Sequence, residues 1–284
     1  MLEEVALVKI LVIHNNERDR LAYLVPQLEA LARDLTTAGH ATSVQLVGSD
    51  IDFVKERDVS HNFANRFRRA LDAASMYCSC AVDGPNPMSR HRLVPYYVKK
   101  VAEHVRKYKR SVRIEQEVVS KHVYCLRETA LSQEPALVLE NDAIVHEQTK
   151  SGLLAVLNYL KSIDSTEGRY YVDLAGGGDR KEILKSWCFE SKHGCKDFTL
   201  TDAPGLTLHA LPRMTTNTVG GYLISPLLAA ELFDFFLTKR PFVGIDWSFN
   251  LFAAQPKNAT NVLCIHTTPT LFIHGSASGP WRAW

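Results

Sequence analysis

Ala136-Leu137-Val138-Leu139 runs directly into Glu140-Asn141-Asp142, and Ala143-Ile144-Val145 follows. An uninterrupted apolar run of this length predicts a short buried strand. Two carboxylates at i and i+2 then stand at its end, where a turn of the backbone lets both face one ligand. Oxygen donors in so short a motif suit a hard divalent cation, Mg²⁺ or Mn²⁺, with water and diphosphate oxygens completing the shell. A plain polar turn after a strand is the competing reading of the same triplet.

The N-terminal part supplies a companion strand. Residues 7–13 form a near-continuous aliphatic stretch ending at His14-Asn15-Asn16. Leu21, Leu24, Val25, Leu28, Leu31, Ala32 and Leu35 then recur at helical steps, with Gly39 as a stop, and residues 43–47 read as a second strand. In such a β-α-β opening, ligands sit beyond the carboxyl ends of the strands, which places a ligand site near Asn15 to Arg20. Further on, a helix is expected at about 117–133 with Val118, His122, Val123, Leu126 and Ala130 on one face. Tyr170-Tyr171-Val172-Asp173-Leu174 reads as a strand running into Ala175-Gly176-Gly177-Gly178, and Phe272-Ile273-His274 as a late β-like run.

Composition limits the partners. Thirty-three Lys and Arg against 31 Asp and Glu leave a formal charge of +2, without the global basic field of a nucleic-acid coating protein. Any anion site must be local. One candidate is 90–113, where nine Lys or Arg accompany the single acid Glu103 while Tyr97, Val101, Val105 and Tyr108 keep a helical stripe. Its basic face reads either as ordinary solvated surface or as a contact for anionic lipid or a phosphorylated acceptor. Six cysteines, unevenly spaced, read as reduced thiols. Acidic Glu3 and Glu4 before the first apolar run are unlike a signal peptide, and no run of 18 apolar residues occurs. A cytoplasmic location, with peripheral contact at the inner membrane left open, is the expectation.

The order of these features resembles glycosyltransferase family 25, the lipooligosaccharide and collagen galactosyltransferase group. Glu115, Lys121-His122 and Leu137-Val138-Leu139-Glu140-Asn141-Asp142 stand in the family's order and spacing, with Lys121 for its usual Ser and Asn141 for its middle Asp. Gly221-Tyr222-Leu223-Ile224-Ser225 matches a family segment before a helix, and Pro241-Phe242-Val243-Gly244-Ile245-Asp246-Trp247 a looser Pro-x-Asp-Trp context. The opening survives as His14-Asn15 and Asp19-Arg20, one residue shorter. The match covers roughly 8–36 and 112–275.

The resemblance implies an α/β, GT-A-like fold: one nucleotide-sugar-binding domain over 1–284, with a mainly parallel mixed sheet flanked by helices and variable insertions at about 50–112 and 179–205, the latter a surface excursion. It also implies a hexosyltransferase, galactose favoured, taking a UDP-hexose to a hydroxyl of a surface or lipid-linked glycan such as lipooligosaccharide or capsule, with inversion. Asp142 and a late His, His274 or alternatively His266, are expected to hold the metal. Glu140 is either a second ligand or an acceptor for sugar hydroxyls. Asp246 is expected as general base, a helix N-cap being its alternative, with Trp247 stacking on a sugar face. His14, Asn15, Glu115, His122, Asn141 and Tyr222 fall to the donor side; Arg18, Arg20 and Arg213 are candidates for diphosphate or acceptor phosphate. Two other readings remain: a metal-independent transferase with a CMP-linked donor, favoured by Asn141, and a catalytically silent sugar- or nucleotide-binding module of a glycan-assembly complex.

Overall fold

The computed structural model describes residues 8–48, 63–83, 89–107, 112–163, 168–176, 196–211, 214–216, 218–241, 243–255 and 262–275. The opening folds as its pattern demands. β1 (Val8–Ile13) leads through α1 (Arg18–Thr37) to β2 (Thr42–Val47), and the two strands pair in parallel. β3 (Ala136–Glu140) pairs in parallel with the other edge of β1. β1 thus sends its chain one way while β3 lies on the other side, which makes a topological switch point at their carboxyl ends.

β8 (Gly221–Ile224) lies antiparallel between β3 and β5 (Tyr170–Asp173). Beyond β5 come β9 (Leu263–Thr268), β7 (Thr207–Leu211) and β6 (Lys196–Thr199), giving an eight-stranded mixed sheet ordered β2-β1-β3-β8-β5-β9-β7-β6. Six strands point one way; β8 and β7 run against them. A two-stranded unit of β4 (Ala143–Val145) and β10 (Phe272–His274) sits just past β3.

Both faces of the sheet are covered, which explains why its central strands are continuously apolar. Ile10, Val12, Leu137 and Leu139 enter one core with Leu24, Leu28 and Leu35 of α1 and Leu153 and Val156 of α5 (Thr149–Ser162). Leu11, Ile13 and Val138 enter the other, with Val123 and Leu126 of α4 (Val112–Ser132), Leu232 and Phe236 of α6 (Pro226–Lys239) and Phe249 of α7 (Ile245–Ala253). Fully burying each such side chain contributes about 1.5–3 kcal/mol, so β1 and β3 are held firmly from both sides. Ser225 has two tasks at the β8–α6 junction. It caps α6 through the Leu228 N–H, and its hydroxyl also accepts the Tyr170 N–H at 3.1 Å.

The two expected insertions prove partly regular. Within 50–112, α2 (Phe63–Asp83) and α3 (Arg90–Lys107) are helices, and Tyr108 lies outside the described residues. Within 179–205, residues 179–195 lie outside the described residues, whereas 196–199 are not a surface excursion but the edge strand β6. Its largely exposed Lys-Asp-Phe-Thr lacks an apolar run, so pairing with β7 alone defines it.

Candidate functional site

A cavity of about 380 Å³ opens beyond the carboxyl ends of β1 and β3, lined by Asn15, Arg20, Glu115, Glu140, Asn141, Asp142, Asp246 and His274 together with residues 218–220 and 244–245. The antiparallel insertion of β8 brings its N-terminal Gly220 to the same edge, where the Gly220 carbonyl accepts the Glu140 N–H at 3.0 Å. Residues far apart in the chain meet there because β10 returns alongside β4. The Gly275 N–H donates to the Asp142 carbonyl at 2.8 Å, fixing His274 next to the acidic turn.

Glu140, Asp142 and His274 offer one ligand atom each within 4.8 Å of one another. His274 Nε2 stands 3.8 Å from Glu140 Oε2 and its Nδ1 3.6 Å from Asp142 Oδ2. Those carboxylates raise the His274 pKa, Glu140 foremost, against the opposing effect of burial. Burial works to raise Glu140 as well, but the His122 and His274 imidazoles beside it outweigh that and hold its carboxyl far below the usual range. Two carboxylates and an imidazole could hold a divalent cation, and the nitrogen makes Mn²⁺ a better fit than Mg²⁺. Gly220 is required for this: a Cβ at that position would stand 2.4 Å from His274 Cδ2.

Behind the cavity, His122 is fully buried on α4. Its Nε2 lies 3.3 Å from Glu140 Oε1 and its Nδ1 3.1 Å from the Tyr222 hydroxyl. A carboxylate can only accept, so Nε2–H donates to Glu140, while Nδ1 pairs with the Tyr222 hydroxyl, which burial keeps protonated. His122 and Tyr222 therefore orient Glu140 from outside the cavity and do not line it.

Asp246 reaches the cavity from the first turn of α7. Gly244, not Asp246, is the N-cap, and a Cβ there would stand 3.0 Å from Asp246 Oδ1. Burial pushes the Asp246 carboxyl up to about 6, opposed by the Trp247 and Asp246 N–H groups and assisted by the negative charges of Glu115 and Glu140. Such a group is poised for proton transfer near neutrality.

No family model and no curated protein matches the chain.

The other expected residues divide by location. Asn15 and Arg20 line the cavity; Arg18 is exposed at the start of α1 and is not part of the lining. His14 is buried behind the loop, its carbonyl accepting from Lys121 Nζ at 2.7 Å. Burial, and next the Lys121 charge, lower its pKa, which favours the neutral ring. Glu115 lines the cavity yet is paired with Arg69 of α2 at 2.5 Å. Trp247 is half-buried and packs against the hydrophobic core, outside the cavity lining. His266 is also outside: its Nε2 donates to the Thr215 carbonyl at 2.7 Å, and Nδ1 lies 3.8 Å from Asp173. Arg213 lies outside the described residues.

Three contributors escaped the sequence reading as site residues. Lys121 appeared only as a departure from Ser, yet its buried ammonium ties α4 to the β1–α1 loop through the His14 carbonyl and Asn15 Oδ1. Arg69 lay in a stretch without clear periodicity. Glu17 accepts from the Asn141 amide at 2.5 Å and from the Asn15 N–H at 2.8 Å. Only the Lys121 substitution left a signal in the sequence.

Proposed function

We propose that this chain is a metal-assisted glycosyltransferase that moves a hexose from a nucleotide diphosphate donor to a hydroxyl of a glycan, with inversion. The observation that carries this reading is the convergence of Glu140, Asp142 and His274 with a separate carboxylate, Asp246, around one cavity at a sheet switch point. The resemblance to glycosyltransferase family 25 in the residues around 115–142 and 221–247 supports the same class, with a GT-A-like fold and UDP-galactose as the favoured donor.

In this reading Asp142 and His274 would hold the divalent cation, with Glu140 as a further ligand or sugar-hydroxyl acceptor, and the bound cation would supply positive charge for the departing diphosphate. Arg20 stands on the cavity wall for a diphosphate oxygen. Asp246 takes the proton of the acceptor hydroxyl as its oxygen bonds to the anomeric carbon, while the bond from that carbon to the diphosphate oxygen breaks on the opposite face. A CMP-linked, metal-independent donor is served less well, because three potential metal-ligand atoms already gather in the cavity. Thermal unfolding with UDP-, GDP- and CMP-sugars, each with Mn²⁺ or chelator, tests the reading. A ligand at 100 times its Kd stabilises by about 2.7 kcal/mol. UDP-hexose with Mn²⁺ is expected to raise Tm, and a rise with CMP-sugar in chelator would favour the alternative.

Gly220→Ala is expected to displace the His274 ring and weaken Mn²⁺ binding by roughly 10–100-fold, as judged from losses when metal-ligand orientation fails. Binding measured by Mn²⁺ electron paramagnetic resonance checks it, and unchanged affinity would remove His274 from the ligand set.

No helix among the described residues is long and apolar enough to cross a membrane. α3 nevertheless presents Val94 and Val98, 67% and 60% exposed, beside exposed Arg92 and Lys99. Glu103, the single acid of this segment, is paired with Lys100 at 3.2 Å. An apolar strip edged by cations fits the surface of an anionic bilayer, where each Lys or Arg contributes about 1 kcal/mol. Arg92→Gln with Lys99→Gln is expected to lower sedimentation with phosphatidylserine vesicles about tenfold at low salt; equal binding by the variant would make α3 merely a solvated face.

A further inference from the structure

An acid at position 141 would have made 140–142 three consecutive carboxylates; the sequence has Asn141, and the structure gives that position a partner 124 residues away. Asn141 Nδ2 donates to Glu17 Oε2 at 2.5 Å, and the same oxygen accepts the Asn15 N–H at 2.8 Å. Glu17 belongs to the loop after β1, is half-buried, and lies beside the cavity whose wall includes Asn15 and Asn141. A carboxylate only accepts, so the side of Asn141 that meets Glu17 must be its NH₂ group. Its Oδ1 is left as the amide atom for other contacts.

We propose that Glu17 and Asn141 form one positioning unit, in which a negative charge stands at Glu17 in place of position 141 and orients Asn141 as a neutral oxygen acceptor between the ligating residues Glu140 and Asp142. The unit sets the charge of the cation site; it rests on the reading given above and deepens it by assigning that site a reduced affinity for the metal. Glu17 is thus a positioning residue. Burial tends to raise its pKa, but its own N–H, the Asn15 N–H, the Asn141 amide and the Arg20 charge together hold its carboxyl below the usual value. The ionised form that the unit needs is therefore the one its surroundings select. Two carboxylates at this contact would repel across a few ångströms in a half-buried loop, so Glu17 and an acid at 141 are mutually exclusive.

The full chain tests this with Asn141→Asp, Glu17→Gln and the double variant, compared in thermal unfolding and in Mn²⁺ binding by electron paramagnetic resonance. Asn141→Asp alone is expected to lower Tm by roughly 2–4 °C. In the double variant the amide introduced at position 17 can donate to the new carboxylate, so at least half of that loss should return, a non-additivity that only coupled sites show. The double variant should also bind Mn²⁺ about tenfold more tightly, since a charge has moved toward the ligands at constant total. Additive Tm losses, or wild-type Tm in Asn141→Asp, would overturn the unit. Restored Tm with unchanged Mn²⁺ affinity would reduce Glu17 to a structural contact and overturn its role in the site. Should wild-type protein bind no Mn²⁺, the metal reading of the cavity fails, while the Tm cycle still decides the Glu17–Asn141 coupling.

Discussion

Asp142→Asn is expected to lower turnover by about 10²–10³ while the protein remains folded, because metal stabilisation of a departing diphosphate contributes several kcal/mol and each 1.36 kcal/mol is a factor of ten. Asp142 stands at the end of a strand buried on both faces, with its Oδ2 at 3.6 Å from His274 Nδ1 and its carbonyl bonded to the Gly275 N–H. Asparagine keeps the size and the backbone contact, so strand order and β4–β10 pairing should persist. It removes the charge. Single-turnover kinetics with Mn²⁺ in excess, beside a circular-dichroism melt, read both effects. Wild-type turnover in the folded variant would detach Asp142 from the metal.

Asp246→Asn is expected to cost about 10²–10⁴ in kcat with donor affinity nearly kept, the signature of a general base that acts on the acceptor. Its carboxyl is pushed up to about 6 by burial, so wild-type turnover should rise as pH passes through about 6 and the base becomes ionised. The variant should lack that acid limb. Stability runs the other way. A carboxyl whose folded pKa lies above its unfolded value favours folding below the unfolded pKa and loses that contribution as pH rises through the folded one. At pH 7 the wild-type residue therefore opposes folding, and Asp246→Asn should melt no lower than wild type. Loss of kcat with preserved Tm separates chemistry from unfolding. A variant with normal kcat and weakened donor binding would instead place Asp246 among the donor contacts.

Much of the scaffold was legible because it depends on short apolar runs. Ala136–Leu139 and residues 7–13 are continuously aliphatic since both faces of their sheet are covered, and the helical step of Leu24, Leu28, Leu31 and Leu35 marks the face that α1 buries. Glu140, Asp142 and Asp246 were legible as candidates because carboxylates that directly follow strands or turns stand out against apolar neighbours. Strand direction was not legible. β8 reads like any buried strand, and nothing in Gly-Tyr-Leu-Ile reveals that it runs against β3 and β5. The same limit applies to His122 and Tyr222. Motif position placed them near the ligand, whereas burial puts them one layer behind, holding Glu140. Glu17, Arg69 and Lys121 act through partners on distant elements, Asn141, Glu115 and the His14 carbonyl, beyond the reach of any local period.

Release of UDP from UDP-galactose tests most directly whether this one cavity carries out metal-assisted hexose transfer. Wild-type protein with Mn²⁺ and a lipid-linked or oligosaccharide acceptor is expected to release UDP stoichiometrically with glycan product, to stop when the metal is chelated, and to recover when Mn²⁺ is restored. The slow hydrolysis expected without acceptor should depend on the metal in the same way. UDP release that proceeds unchanged in chelator, or that is equal in wild type and Asp142→Asn, would contradict the account.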